Sequence, residues 1–231
     1  MVTRELLLTS PALGELGPAA LDAIASRSKT IEFRRHERVA GLINPPQRLV
    51  FLLAGLAKLS AATVDGRERI VYVFRPGDIV GSRVLLGRSL ESDYEVVAMT
   101  RLSGVALELA DFQAITEEHP EVLIAVTQAL TRRLDRLTAR LMGVMSEEVS
   151  MRLCRLLLDF ADGGNDGSDR FVRLAHPLTH ETMAHIVGAS RPHTSTVLSE
   201  LEQQGIVKRR RRDLLVNPQR LAEMVGATTW T

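Results

Sequence analysis

The stretch VGASRPHTSTVLSELEQQG, Val187 to Gly205, decides how the last third of the chain is read. Ser190 is a helix-capping residue, Pro192 falls in a first turn where its missing N–H costs nothing, and Gly205 is a stop. Val197, Leu198 and Leu201 form the inward side, and Arg191, Pro192, His193, Ser195, Thr196 and Glu200 point outward. Just upstream, Thr179 caps a shorter run with Met183, Ile186 and Val187 inward, and Gly188 permits a tight turn. Two short helices joined by a Gly-containing turn make a helix-turn-helix. Downstream, GIVKRRRRDLLV reads as strand, tight turn, strand, and clusters Lys208, Arg209, Arg210, Arg211 and Arg212. A basic wing beside a helix-turn-helix suits phosphate contact, with affinity that falls as salt rises.

The charge distribution points the same way. Net charge is +1 over 231 residues, but residues 1–169 carry 20 basic and 23 acidic side chains. Residues 170–231 carry 9 basic and 5 acidic side chains and four of the six histidines. An acidic first part joined to a basic tail suggests a polyanion partner for the tail. With 45% hydrophobic and 25% charged residues, the composition is globular rather than disordered. Aromatics at 4% leave the core to Leu, Val, Ile and Ala. The single cysteine, Cys154, excludes an intramolecular disulfide framework, suits a reducing compartment and reads as a small buried residue. There is no basic leader followed by an apolar run, and no stretch of about 18 apolar residues. The expectation is a cytoplasmic protein with no membrane partner.

Upstream, residues 1–30 read as a short helical lead-in. From Lys29 to about Asp111 the runs RLVFLLAG, LAKLSAATV, RIVYVF and YEVVAMT are separated by the turn signals NPPQ, DGRE and RPGD, a pattern of short strands. Asp65-Gly66 marks a hairpin. His119-Pro120 opens a long helix with Leu123, Leu130, Leu137 and Val144 at intervals of seven, interleaved with Thr127, Leu134 and Leu141. Arg132, Arg133, Asp135, Arg136 and Arg140 take the outer positions. Two readings fit this seam: a helix packed on its own domain, or a coiled coil between two subunits, which the narrowness of the stripe favours. Ser146, with Glu147 and Glu148 behind it, is expected to cap the next helix at a hinge. DGGNDGSD, Asp162 to Asp169, breaks regular structure. The expected class is α+β: a β-sandwich or barrel of short strands with its lead-in helix over 1–118, a long helix over 119–145, which is a dimerisation helix on the second reading, and a winged helix-turn-helix over 146–231.

The GASR turn, the RPGDIVG segment and the LTRRL helix, in this order, resemble the cyclic-AMP receptor protein/FNR family of bacterial transcription regulators. The resemblance covers almost the whole chain. It implies a cyclic-nucleotide-binding-like β-roll, a homodimer on a two-fold symmetric duplex operator, and RNA polymerase as a further partner. Arg191 matches the family arginine that reads guanine, whose fork bonds O6 and N7 together, a discrimination of about 1–3 kcal/mol. Thr179, Ser190 and His193 match phosphate contacts, with His180 beside them. Pro192 stands where many members place a glutamate, and Thr196 where the cyclic-AMP receptor places a second base-reading arginine, so the family operator is not carried over.

The sensor segment GSRVLLGRSLESDYEV departs further. The resemblance places candidate effector contacts at Gly81, Ser82, Arg83, Ser92, Asp93, Arg133, Leu137 and Thr138. Ser82 stands in the position of the ribose-binding glutamate, Ser92 and Asp93 in that of the phosphate-binding Arg-Ser pair, and Leu137 in that of an adenine-contacting threonine. Arg83 and Arg88 are nearby substitutes. A carboxylate facing a phosphate repels it, so cyclic AMP is not the expected effector. A lone cysteine excludes an iron–sulfur cluster within one chain. Haem needs one histidine, and His36 and His119 are the candidates, each read first as a surface residue. His180 and His185 fall about 140° apart around a helix, which argues against a metal site in HPLTHETMAH. No Walker loop, nucleophile elbow or zinc-protease signature occurs, so no enzyme is expected. Three functions are carried: an effector-gated DNA-binding regulator, an effector-independent one, and a cyclic-nucleotide module acting on a protein partner.

Overall fold

The computed structural model describes residues 2–39, 48–62, 68–86, 94–161, 169–210 and 213–226. The Asp65-Gly66 turn and most of the 162–169 break lie outside them. The chain divides into two compact units, Met1–Arg136 and Leu137–Thr231.

The first unit is a β-roll with helices on one side. Helices α1 (Arg4–Leu8) and α2 (Pro18–Arg27) lead in. The strands are β1 (Lys29–Phe33), β2 (Arg48–Ala54), β3 (Ala57–Ala62), β4 (Glu68–Phe74), β5 (Ile79–Val80), β6 (Tyr94–Ala98) and β7 (Leu102–Glu108). They form two antiparallel sheets, β1-β7-β2-β5 and β4-β3-β6. The four apolar runs read from sequence are β2, β3, β4 and β6. In β2, Leu49 and Phe51 join a core shared with Leu7, Leu13, Leu21 and Ile24. Val50 and Leu52, on the opposite face, are equally buried, which is why the strand reads as a continuous apolar run instead of an alternation. Gly104 on β7 lies so close to β2 that a Cβ there would sit 2.7 Å from the Phe51 carbonyl oxygen.

Helix α3 (Leu109–Glu118) departs from the sequence reading, which carries the β section to Asp111 and starts the next helix at His119. β7 runs straight into it, and Phe112 and Ile115 fill the core. Ten residues hold too few turns for a helical period to declare itself beside an apolar strand. The long helix α4 is Glu121–Ser146.

Two stripes run along α4. Leu123, Leu134, Leu141 and Val144 of the sequence-read seam are exposed, Leu134 at 62% and Leu141 at 60%. Thr127 is exposed and donates to its own helix at the Leu123 carbonyl, 2.8 Å away. Leu137 is half-buried, and Leu130 packs partly against the first unit's core. The second stripe was missed: Val122, Val126 and Ala129 are buried in that core, and Arg133, Arg136 and Arg140 continue it at the same spacing of three and four. These three arginines therefore do not occupy outer positions. Each turns back onto its own chain, as described below.

The second unit contains α5 (Val149–Asp159), β8 (Val172–Arg173), α6 (His180–Val187), α7 (Arg191–Gln203), β9 (Val207–Arg210), β10 (Asp213–Val216) and α8 (Pro218–Val225). The strands form one antiparallel sheet, β8-β10-β9. Leu153, Cys154, Leu157, Met183, Val187, Leu198 and Leu201 are buried there. Ser146 does not cap α5. It closes α4, its hydroxyl donating to the Met142 carbonyl at 2.7 Å, and Glu148 takes the cap position without a side-chain bond. Glu147 instead pairs with Arg155 at 2.7 Å. Among the described residues no helix is long and apolar enough to cross a membrane.

Candidate nucleic-acid interface

The helix-turn-helix is α6, a turn and α7. Thr179 Oγ1 accepts the Thr182 N–H at 3.0 Å and opens α6. Gly188 closes it in the left-handed region at φ 69°, where a side chain is strained. Ser190 Oγ accepts the His193 N–H at 3.4 Å and opens α7. Buried Thr194 donates to the Ser190 carbonyl at 3.0 Å, fixing the same turn from inside. Two cations hold the C-terminal carbonyls of α6: Arg140 Nη2 at His185 O, 3.2 Å, and Arg152 Nε at Val187 O, 2.8 Å.

This frame exposes Arg191, Pro192, His193, Thr196 and Glu200 on one end and side of α7. Ser195 differs from the sequence reading. It is half-buried, and its Oγ lies 2.8 Å from His180 Nδ1 across the two helices. Burial, then Arg209 and Arg191, push the His180 imidazole below its ordinary pKa.

The wing pairs Asp213 with Arg210 and Val216 with Val207. Its cations are not equivalent. Lys208 Nζ sits 4.0 Å above the Phe171 ring, an exposed cation–π contact. Arg209 braces the wing to α7: its N–H donates to Glu202 at 3.1 Å and its Nη2 to Ser199 Oγ at 3.3 Å. Arg210 is exposed, and Arg211 and Arg212 lie outside the described residues. Behind the wing, buried Asn217 caps α8 and donates to Asp169 at 2.6 Å. Arg220 binds the same carboxylate at 3.0 and 3.1 Å and the Gly205 carbonyl at 3.3 Å. Asn217-Pro218 is a legible cap-and-first-turn signal for α8 that sequence reading passed over.

In the sensor region, Gly81 is left-handed at φ 84° and opens a short 3-10 helix, Ser82–Leu86. Ser82 is half-buried and Arg83 exposed, while Arg88, Ser92 and Asp93 lie outside the described residues. Arg133 meets β4, its guanidinium 4.5 Å from the Tyr72 ring centroid and 4.7 Å from that of Phe74. Leu137 and Thr138 follow in the second unit. The site that sequence reading missed is Asp78, 2% exposed. It accepts from Tyr72 Oη at 2.9 Å, from the Arg75 N–H at 3.0 Å and from Arg136, which also donates to Tyr72 Oη at 2.7 Å. Burial, then the Asp78 charge, push the Tyr72 phenol up to about 12. His36 is exposed in a turn, and His119 lies 3.5 Å from Glu121. Cys154 is buried, and desolvation raises its thiol to about 11. Among the described residues no three His, Cys, Asp or Glu side chains gather as metal ligands.

Comparison with known proteins follows the same division. Residues 30–119 match the cyclic nucleotide-binding domain, and residues 151–228 the Crp-like helix-turn-helix domain. The chain is 24% identical to a CRP-like cAMP-activated global transcriptional regulator of Mycobacterium tuberculosis, over 92% of this chain and 95% of that protein. It is 26% identical to the global nitrogen regulator of Synechocystis, over 90% of each. A CRP-family transcriptional regulator from Thermus thermophilus superposes with a TM-score of 0.65 at 26% identity, over 85% of this chain and 97% of that one. These relatives are transcription regulators and not enzymes. With a cyclic-nucleotide-binding fold ahead of a Crp-like helix-turn-helix, the chain belongs to the CRP/FNR family of transcription regulators.

Proposed function

We propose that the protein is a homodimeric regulator that binds a two-fold symmetric duplex operator in a sequence-specific way. The observation that carries this reading is the exposed first turn of α7, capped by Ser190 and led by Arg191. A helix N-terminus of this kind lays backbone N–H groups at phosphates and its leading side chains at base edges. Arg191 reads a guanine, with Pro192 and Thr196 beside it. Thr179, His180, Ser190, His193, Ser195, Lys208, Arg210 and Arg211 serve the backbone, and Arg209 does so while bracing the wing. The exposed leucines of α4 form the dimer seam. Gating falls to a small molecule other than cyclic AMP held near Gly81, Ser82, Arg83 and Arg133, and RNA polymerase is the downstream partner.

Selection from random duplexes, followed by affinity measurement on the selected and scrambled sites, tests this. Arg191→Ala should lose about tenfold or more on the selected site, in keeping with a bidentate guanine contact, and little on the scrambled one. Equal loss on both removes the base-reading role. Failure to select any motif favours a module that regulates a protein partner. A second reading, DNA binding without an effector, is favoured by Arg133 and Arg136: both guanidinium groups are engaged by Tyr72, Phe74 and Asp78 of the same chain.

A further inference from the structure

His180 begins α6 and Ser195 lies in the second turn of α7, so their 2.8 Å contact ties the two helices at the end that faces DNA on the reading above, on which this inference rests. A neutral imidazole carries one N–H and meets Ser195 with Nδ1 as donor or acceptor. An imidazolium donates from both nitrogens. Its Nδ1–H must go to Ser195 Oγ, which turns the serine's own proton outward, and its Nε2–H becomes a charged donor for an anionic oxygen.

The charged groups around the ring come from two elements. Arg191 leads α7, and Arg209 on β9 is paired with Glu202. Arg140 of α4 and Arg152 of α5 reach α6 at its other end, at the His185 and Val187 carbonyls. In the free protein partial burial, then the Arg209 and Arg191 guanidinium groups, oppose a positive ring. A duplex phosphate laid against the ring and Arg209, with the Arg191 guanidinium drawn to its base, reverses that field. We propose that His180 takes up a proton when the duplex binds, its imidazolium bridging Ser195 Oγ and a backbone phosphate.

The sign follows from linkage. Binding that takes up a proton tightens as pH falls; the gain is absent above the bound-state pKa and complete below the free-state one. One proton gives a slope of at most about tenfold per pH unit.

Operator affinity measured by fluorescence anisotropy from about pH 8 to about pH 5.5, at constant ionic strength, reads this slope. Wild-type affinity should rise by about tenfold. His180→Gln should stay flat near the wild-type high-pH value, and His180→Arg, a permanent cation, should be flat and tight. His36→Gln, in an exposed turn of the first unit, should keep the slope. On unmutated protein, the His180 ring resonance should titrate at higher pH with the duplex than without it. A slope that survives His180→Gln, a flat wild type, or an unmoved resonance overturns the proposal. If the folded wild type binds no duplex at any pH, the DNA-binding reading itself falls, and this proposal with it.

Discussion

Asp78 is a carboxylate at 2% exposure with a phenol, a backbone N–H and a guanidinium around it. Removing one partner from such a buried pair costs about 3–5 kcal/mol, so Arg136 matters to the fold in a way that exposed Arg132 does not. RPGD was legible as a turn signal, and the short strand β5, Ile79–Val80, follows it directly. Its acid was not legible as a site, because the partner Arg136 is 58 residues further on and sequence gives no register between them. Tyr72 reports on this cluster. The chain has two tyrosines, so Tyr94→Phe leaves one chromophore for an alkaline absorbance titration. The Tyr72 phenol should ionise only near 12 in the folded protein, against about 10 once unfolded. The folded state holds the proton more tightly, so this stabilisation is whole below about pH 10 and is lost as pH rises towards 12. Ionisation near 10 in folded protein contradicts the buried contact with Asp78.

At the scale of the element, α4 shows what a hydrophobic period can and cannot reveal. Counting sevens finds Leu123, Leu130, Leu137 and Val144, and that stripe is the one left exposed or half-buried in the single chain. Val122, Val126 and Ala129 recur at the same intervals on another side, but the stripe they begin continues as arginines, so it never reads as apolar for long. The ends of α6 and α7 were legible because their signals are local: Thr179, Gly188 and Ser190 each act within a turn of their own position. The 2.8 Å link from His180 to Ser195 was not, since it depends on how the two helices cross. The seam is tested best at Leu134, 62% exposed and therefore dispensable to the folded monomer. Leu134→Asp should sediment as a monomer with an unchanged circular dichroism spectrum. Leu130 is the wrong position for this test, because it also packs against the first unit's core. A Leu134→Asp protein that remains dimeric would remove the seam assignment.

At the scale of the whole molecule, residues 30–119 match the cyclic nucleotide-binding domain, and the proposal that cyclic AMP is not its ligand rests on particular residues. Ser82 supplies a hydroxyl where the family resemblance expects a carboxylate for a ribose, and Arg133 is stacked on Tyr72 and Phe74. A ligand moves a conformational equilibrium only by the difference in its affinity for the two states, so a nucleotide that binds neither state moves nothing. Stability exposes binding independently of any effect on DNA. A ligand at one hundred times its Kd adds about 2.7 kcal/mol to the state that binds it. At about 2–4 °C per kcal/mol for a chain of this size, that is a shift of several degrees. Cyclic AMP at millimolar concentration should leave both the melting midpoint and the operator affinity where they were. A rise of about 5 °C or more, together with tighter operator binding, would show that Ser82 and its neighbours hold the nucleotide by other contacts, and would return cyclic AMP to this protein as its effector.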